Sequence, residues 1–357
     1  METVFITGGA GFIGSRLTGL LAQRYRVVAY DSLLPQVHGG NPDNRARFEA
    51  AGGKLIKGDV RDRAALQDAL AQVAPAIVVH LASETGTGQS YDFVGRYCEV
   101  NVGGTANLVE AIRAVGSVRR VLLASSRAVY GEGACVGPDG RPAAAVERRP
   151  ADIALGDYAP HDATGLRLNP VPTDAVTCPV APASIYASTK LMQEFLLRQA
   201  FWGTPVGVGV LRMQNVFGEG QSLNNPYTGV LSIFVRQIQE GLALRLYEDG
   251  NAVRDFIHVD DVARAFLALA EVPQLPERAI DIGSGETVSL LDVSRRLLAL
   301  LGAAPDRFEI TGEFRPGDIR HAVADISAAR TILGWRPQVS LEAGLQRLVE
   351  WSRVPAV

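Results

Sequence analysis

The sequence is short of cysteine, has no long apolar run and carries no block of like charge. Its three cysteines, Cys98, Cys135 and Cys178, lie far apart in 357 residues, which excludes a disulfide framework or a cysteine-rich metal motif. No apolar stretch approaches the roughly 20 residues that span a bilayer. The first apolar strand pattern begins directly behind Met1, leaving no room for a signal peptide. A cytoplasmic protein without a membrane partner is the expectation. Thirty-eight acidic residues against 35 Lys and Arg leave a net charge of −3, spread evenly, with a pI near 6.0. That balance speaks against nucleic acid as a partner. An anionic ligand must then be held by a few placed groups.

What the chain does have is alternation. Strand patterns at 4–7, 26–31, 54–59, 76–82, 120–126 and 206–212 are separated by amphipathic stretches at 15–25, 63–73 and 105–115. Continuous apolar strands between helices predict a parallel sheet covered on both faces, a doubly wound α/β fold of the Rossmann kind. Residues 132–182 hold eight of the 19 prolines and no sustained period, and read as an irregular insertion. Beyond residue 213 the pattern is mixed, with helices expected at 229–240 and 289–301 and a turn at 248–251. We therefore expect a dinucleotide-binding domain over 1–212, to which 254–284 returns. A smaller, discontinuous mixed α/β substrate domain is expected mainly over 213–357, with the ligand cleft between the two.

Directly behind the first strand, TGGAGFIG (7–14) meets the need for a tight turn, close backbone approach to a pyrophosphate and a helix N-terminus aimed at it. Gly8, Gly11, Phe12, Ile13 and Gly14 are the candidate contacts. The second strand ends in Asp31, 17 residues after Gly14, where a carboxylate can accept both adenosine-ribose hydroxyls. A carboxylate there repels a 2′-phosphate, and Ser32, Leu33 and Leu34 offer no compensating cation, so NAD is favoured over NADP. Asp59 and Val60 are placed to meet the adenine, with a cap for the following helix as the other role open to Asp59. Leu81, Ala82 and Ser83, behind the fourth strand, complete the expected cofactor contacts.

YASTK (186–190) puts Tyr186 and Lys190 four apart, on one face if the segment is helical. Bringing a phenol from pKa 10 to neutrality costs about 4 kcal/mol, which an adjacent ammonium and a positive nicotinamide ring can supply. Ser126, at the end of the fifth strand, falls on the same carboxyl edge of the sheet. His258 is expected to order a strand between domains. Cys135, Cys178 and His161 are expected to be unpaired residues of the insertion, with no metal among them.

The glycine loop, Asp31, Asp59, the strand-end serines and Tyr186/Lys190 together resemble the extended short-chain dehydrogenases/reductases, and among them the nucleotide-sugar epimerases and dehydratases. RMQNVFGEGQ (212–221), GNAVRDFIHVDDVARA (250–265), DIGSGE (281–286) and RPGDIRHAVADISAARTILGW (315–335) extend the resemblance over nearly the whole chain. It implies that Tyr186 takes a proton from a sugar hydroxyl, that Lys190 lowers the Tyr186 pKa and bonds the nicotinamide ribose, and that Ser126 donates to the reacting oxygen. It implies further that Asn215 and Arg254 contact a substrate diphosphate and that Arg315 and Asp318 lie near diphosphate and nucleoside ribose. Helices at about 91–115 and 184–203 resemble the pair that forms a dimer interface in this family, so a homodimer is implied.

The 4,6-dehydratases of the family carry Asp-Glu directly after the strand-end hydroxyl. Here those positions hold Arg127 and Ala128, which cannot remove water across a C5–C6 bond. A 4-epimerase, working through a transient 4-keto sugar, needs only Tyr186, Ser126 and retained NAD. HLASETGTGQS (80–90) and the insertion resemble the dTDP-L-rhamnose 4-epimerases and their relatives, which makes Glu84, Thr85 and Arg127 candidate sugar contacts. A UDP-hexose or UDP-hexuronate 4-epimerase, a dTDP-4-keto-6-deoxyhexose reductase and a non-catalytic NAD-binding regulator are the other readings.

Overall fold

The computed structural model describes residues 1–38, 43–223, 225, 229–315 and 317–353. Seven strands make one sheet: β1 (Thr3–Thr7), β2 (Arg26–Asp31), β3 (Lys54–Lys57), β4 (Ile77–His80), β5 (Arg120–Ser126), β6 (Gly207–Met213) and β7 (Ile280–Ile282). Their order is β7-β6-β5-β4-β1-β2-β3, and every neighbouring pair is parallel. Parallel pairs need crossovers. Those that matter here are the helices α1 (Phe12–Leu21), α2 (Arg63–Val73), α3 (Gly104–Val115), α4 (Ile185–Phe201) and α5 (Val259–Glu271).

Alternation along each strand feeds two cores. Val4 and Ile6 pack with Leu17 and Phe266 on one face. Phe5 packs with Leu70, Leu108 and Leu197 on the other. A third core, with Phe217, Phe234, Leu244, Leu297 and Leu348, joins the helices Val230–Gln239, Leu290–Leu301 and Leu341–Ser352. The strand order reverses between β1 and β4, so loops leaving the carboxyl ends of the strands part there and open a crevice.

Three segments differ from expectation. α1 starts at Phe12, three residues early, because Gly11 already serves as its N-cap and the glycine loop runs straight into the first turn. The long helix expected over 91–115 is broken into Thr87–Asp92, Val94–Tyr97, a π-helical turn at Cys98–Gly103 and α3. The insertion is less irregular than its prolines suggest: Cys135–Val136 pairs antiparallel with Pro142–Ala143 and with Asn169–Pro170. It docks through Thr173, whose N–H bonds the Val323 carbonyl (2.9 Å).

Candidate active site

A cleft of about 880 Å³ runs along the carboxyl edge of the sheet and between the first two cores and the third. At one end lies the glycine loop. Gly8 holds φ +71°, and a Cβ there would come within 2.8 Å of the Ala82 nitrogen, so only a bare backbone fits. Among the described residues no side chain caps the start of α1 at Gly11. The open helix N-terminus beside a glycine cradle suits a diphosphate, and NAD fits this end. Asp31, almost fully buried, accepts the N–H of Ala10 (3.1 Å) and of Leu33 (2.9 Å). The structure adds a group that no motif pointed to: His38 Nε2 lies 3.3 Å from Asp31, brought back by the short helix Pro35–His38.

Asp59 lines the cleft, held by the Arg61 guanidinium (2.7 Å), which keeps its carboxyl below the usual range. It does not cap the following helix. That role falls to Asp62, which accepts the N–H of Ala65 (3.0 Å). Val60, Leu81, Ala82 and Ser83 line the same stretch.

Tyr186 lies in the first turn of α4, capped by Ser184, and faces the cleft next to Ser126 at the end of β5. Burial pushes the phenol up from its ordinary pKa, and a hydrogen bond with Ser126 pulls part of that back. The lowered phenol expected from the sequence draws on Lys190 together with a positive nicotinamide ring; among the protein's own groups burial dominates, and it also drives Lys190 down to about 7. Lys190 does not line the cleft; it lies beneath, 3 % exposed. Its Nζ donates to Gln193 Oε1 (2.6 Å) and reaches Ser83 Oγ at 3.5 Å.

Gln193 is itself fixed, donating to Thr105 Oγ1 (2.8 Å) and lying 3.3 Å from His80 Nε2. His80 also bridges to Thr7 (2.6 Å) and Thr105 (2.9 Å), and burial depresses it to about 3, so it is neutral. A second buried chain runs behind Ser126. Ser125 donates to Glu194, Glu194 holds Arg212 through both oxygens (3.0 and 2.8 Å), and Arg212 sits over the Tyr130 ring. Tyr130 donates to Asp281 on β7 (2.9 Å).

Asn101, in the π-turn, accepts the N–H of Glu84 (2.7 Å) and the hydroxyl of Ser83 (3.0 Å) and donates to Thr189 (2.9 Å). One asparagine thereby fastens the loop after β4 to α4. The π-turn adds a residue to the helix, a local irregularity frequent at functional sites. Nothing in the periodicity singles out Asn101, Gln193 or His80.

On the substrate side, Glu84, Thr85, Arg127, Asn215, Arg254, Arg315 and Asp318 all line the cleft. Their side chains are not equally free. The Glu84 carboxylate is paired with Arg96 (2.7 Å). Arg315 and Asp318 pair with each other (3.1 Å), and the Arg315 guanidinium lies over the Tyr247 ring. Arg254 bonds the Val253 carbonyl (2.8 Å). Arg127 caps Gly131 through its carbonyl (2.7 Å), and burial next to Arg254 brings it down to about 10. It remains a cation at neutral pH, neither an acid nor a base. Gln214 lines the cleft between Met213 and Asn215, and neither end of its buried amide has a partner among the described residues.

Residues outside the cleft follow ordinary roles. His258 caps α5, accepting the N–H of Asp260 (3.2 Å), and bonds Glu219 (2.9 Å). Cys135 and Cys178 are buried free thiols pushed up to about 12 and about 11. His161 pairs with Asp157 (3.1 Å). Among the described residues no cluster of three His, Cys, Asp or Glu could hold a metal, and no helix is long and apolar enough to cross a membrane.

Comparison with known proteins gives concordant results. The model of the NAD dependent epimerase/dehydratase family matches residues 4–150 and 163–283. A dTDP-L-rhamnose 4-epimerase of Burkholderia thailandensis is 43% identical over 353 residues, 98% of this chain and 94% of its own. A UDP-glucose 4-epimerase of Mycolicibacterium smegmatis is 31% identical, covering 98% of this chain and 97% of its own. Among solved structures, the UDP-glucose 4-epimerase of Thermus thermophilus in complex with NAD superposes with a TM-score of 0.77 at 28% identity, covering 98% of this chain and 99% of that one.

Proposed function

Because the chain belongs to the NAD dependent epimerase/dehydratase family, we propose that it is an NAD-dependent nucleotide-sugar 4-epimerase acting on a dTDP-6-deoxyhexose such as dTDP-L-rhamnose. The observation that carries the reaction type is the meeting of Tyr186 and Ser126 at the cleft wall with Arg127 and Ala128 next in line. That set can move a proton at one sugar oxygen and has no acid–base pair for removing water. The sugar follows the Burkholderia relative, which this chain matches along nearly its whole length.

NAD, when bound, supplies a reversible hydride acceptor and a positive ring charge. The proton work belongs to the protein. Tyr186 takes the C4 hydroxyl proton and later returns it, and Ser126 donates to the same oxygen while charge develops there. Lys190, held by Gln193 beneath the cleft, presents its ammonium to the cofactor side. Between the two half-reactions the 4-keto sugar turns, so that reduction on its other face yields the epimer. Gly8, Gly11, Phe12, Ile13, Gly14, Asp31, Asp59, Val60, Leu81, Ala82 and Ser83 hold the cofactor. Asn215, Arg254, Arg315 and Asp318 hold the nucleotide diphosphate, and Glu84, Thr85 and Arg127 border the sugar. Residues 1–212 with 254–284 form the NAD domain, and the remainder from 213 the nucleotide-sugar domain.

A homodimer belongs to this reading. Phe93 and Val94, where two short helices meet, and Met192 and Phe195 on α4 are large apolar side chains 43 to 47 % exposed, which supports it. Light scattering on the purified protein checks it. The cytoplasmic location expected from the sequence is checked by cell fractionation. The reaction is tested by incubating the protein with dTDP-L-rhamnose and, separately, UDP-sugars. Conversion of the first without net cofactor change is expected. Turnover of UDP-sugars alone would reassign the substrate, and consumption of added NADH on a 4-keto sugar would make the protein a reductase.

A further inference from the structure

No residue of the 132–182 insertion lines the cleft, yet the insertion is tied to its nucleotide end by a ring of three ion pairs closed by one backbone hydrogen bond. Arg148 donates from Nε to Glu132 (2.8 Å), from one terminal nitrogen to Glu248 (2.7 Å) and the Tyr158 carbonyl (3.3 Å), and from the other to the carbonyl of Asp318 (2.8 Å). Arg320 completes the ring. Its guanidinium bonds the second oxygen of Glu248 (2.9 Å), and its backbone N–H bonds the second oxygen of Glu132 (2.9 Å). The side chains of Arg148, Glu132 and Glu248 are 4, 9 and 4 % exposed. Glu248 holds φ +53°, a left-handed backbone that a side chain adopts only where its surroundings demand it.

Three segments far apart in sequence meet in this ring: the insertion, the turn at 248–250 and the loop at 315–320. The second borders the cleft with Glu248 and with Tyr247 just before it, the third with Arg315 and Asp318. We propose that Arg148 is a positioning residue through which the insertion braces the loop carrying Arg315 and Asp318, and that it thereby sets the affinity for the substrate's nucleoside diphosphate without touching it. This rests on the nucleotide-sugar reading above. The planar fork of an arginine is what permits it, since separate N–H groups reach three segments at once. A lysine offers one point of charge and cannot span them.

The test compares wild-type holoenzyme with Arg148→Lys in calorimetric titrations with thymidine diphosphate and uridine diphosphate and in steady-state turnover. Arg148→Lys is expected to weaken diphosphate binding and raise KM by about 10-fold, the loss of roughly one charged hydrogen bond, with kcat and NAD content near wild type. Glu132→Gln, which keeps the shape of the ring, is expected to shift both in the same direction by about threefold, and it decides the matter should Arg148→Lys fail to fold. Unchanged diphosphate affinity in a folded variant, whatever its thermal stability, overturns the proposal, as does a loss of kcat at unchanged KM. If wild type itself binds neither diphosphate, the nucleotide-sugar reading falls and this inference with it.

Discussion

At the end of the cleft where we place the proton transfer, Lys190, Gln193, Glu194 and His80 are each 3 % exposed or less; Gln193 links Lys190 to His80, and Glu194 holds Ser125 and Arg212. At the nucleotide end, the Arg315 side chain keeps 59 % of its surface in solvent and leans on a tyrosine ring and one aspartate. The difference follows the chemistry each end must serve. A proton transfer at one oxygen requires groups that do not reorganise when charge appears, so the catalytic side chains are locked in a low-dielectric layer. A diphosphate brings its own charge and tolerates partners that arrive from flexible arms, provided the loop beneath them is braced. Substitutions at the first end should therefore act on kcat, and those at the second on KM.

Tyr186→Phe is the severest way to test that division. Removing the proton carrier should lower kcat by about 100- to 10,000-fold with thymidine diphosphate binding retained, measured by chromatographic separation of the sugar epimers. Equal loss of diphosphate affinity would erase the distinction. Ser126→Ala should lower kcat by about 100-fold with little change in KM, the cost of one donor at the reacting oxygen. Arg254→Ala should do the reverse, raising KM by about 10- to 100-fold through the loss of charge-assisted hydrogen bonds, with kcat at saturation nearly intact.

The buried Lys190 allows a pH test of the locked layer in the absence of nucleotide. Its folded pKa lies near 7, below its unfolded value, so between pH 7 and about 10 the unfolded chain binds more protons and stability should rise with pH. The slope from this one group is at most about 1.4 kcal/mol per pH unit, and it should vanish in Lys190→Met when unfolding is followed in denaturant at several pH values. Smallest of all, Arg315→Ala at the exposed end should cost less than about 1 kcal/mol in substrate binding, because solvent already screens that charge; most of the loss expected of Arg148→Lys then comes through Asp318, whose carbonyl Arg148 holds.

Much of the catalytic end was legible before the fold was. Gly8 to Gly14, Asp31 and Tyr186/Lys190 are local patterns, each written within a few residues of a strand end or within one helical turn. The partners that hold them are not local. His80 meets Gln193 across 113 positions and Tyr130 meets Asp281 across 151. No period or spacing marks such pairs, because they are created by the order in which strands are laid into the sheet. The same reason hid the approach of His38 to Asp31, since the residues between them had to turn back before the imidazole could reach the carboxylate. It also hid the insertion's regular pairing: two-residue strands leave no alternation to read.

The sequence by itself determined the fold class, the cofactor loop, the tyrosine–lysine pair and the absence of a dehydrating acid–base couple, since all of these reside in residue type and short spacing. Tertiary structure alone decided that Lys190 lies under the cleft and that burial raises the Tyr186 phenol. It also decided that Glu84 is occupied by Arg96, and that Arg148 carries the insertion's hold on the nucleotide end. Desolvation and long-range ion pairing depend on what the completed fold packs around a group, and a linear chain contains no surroundings.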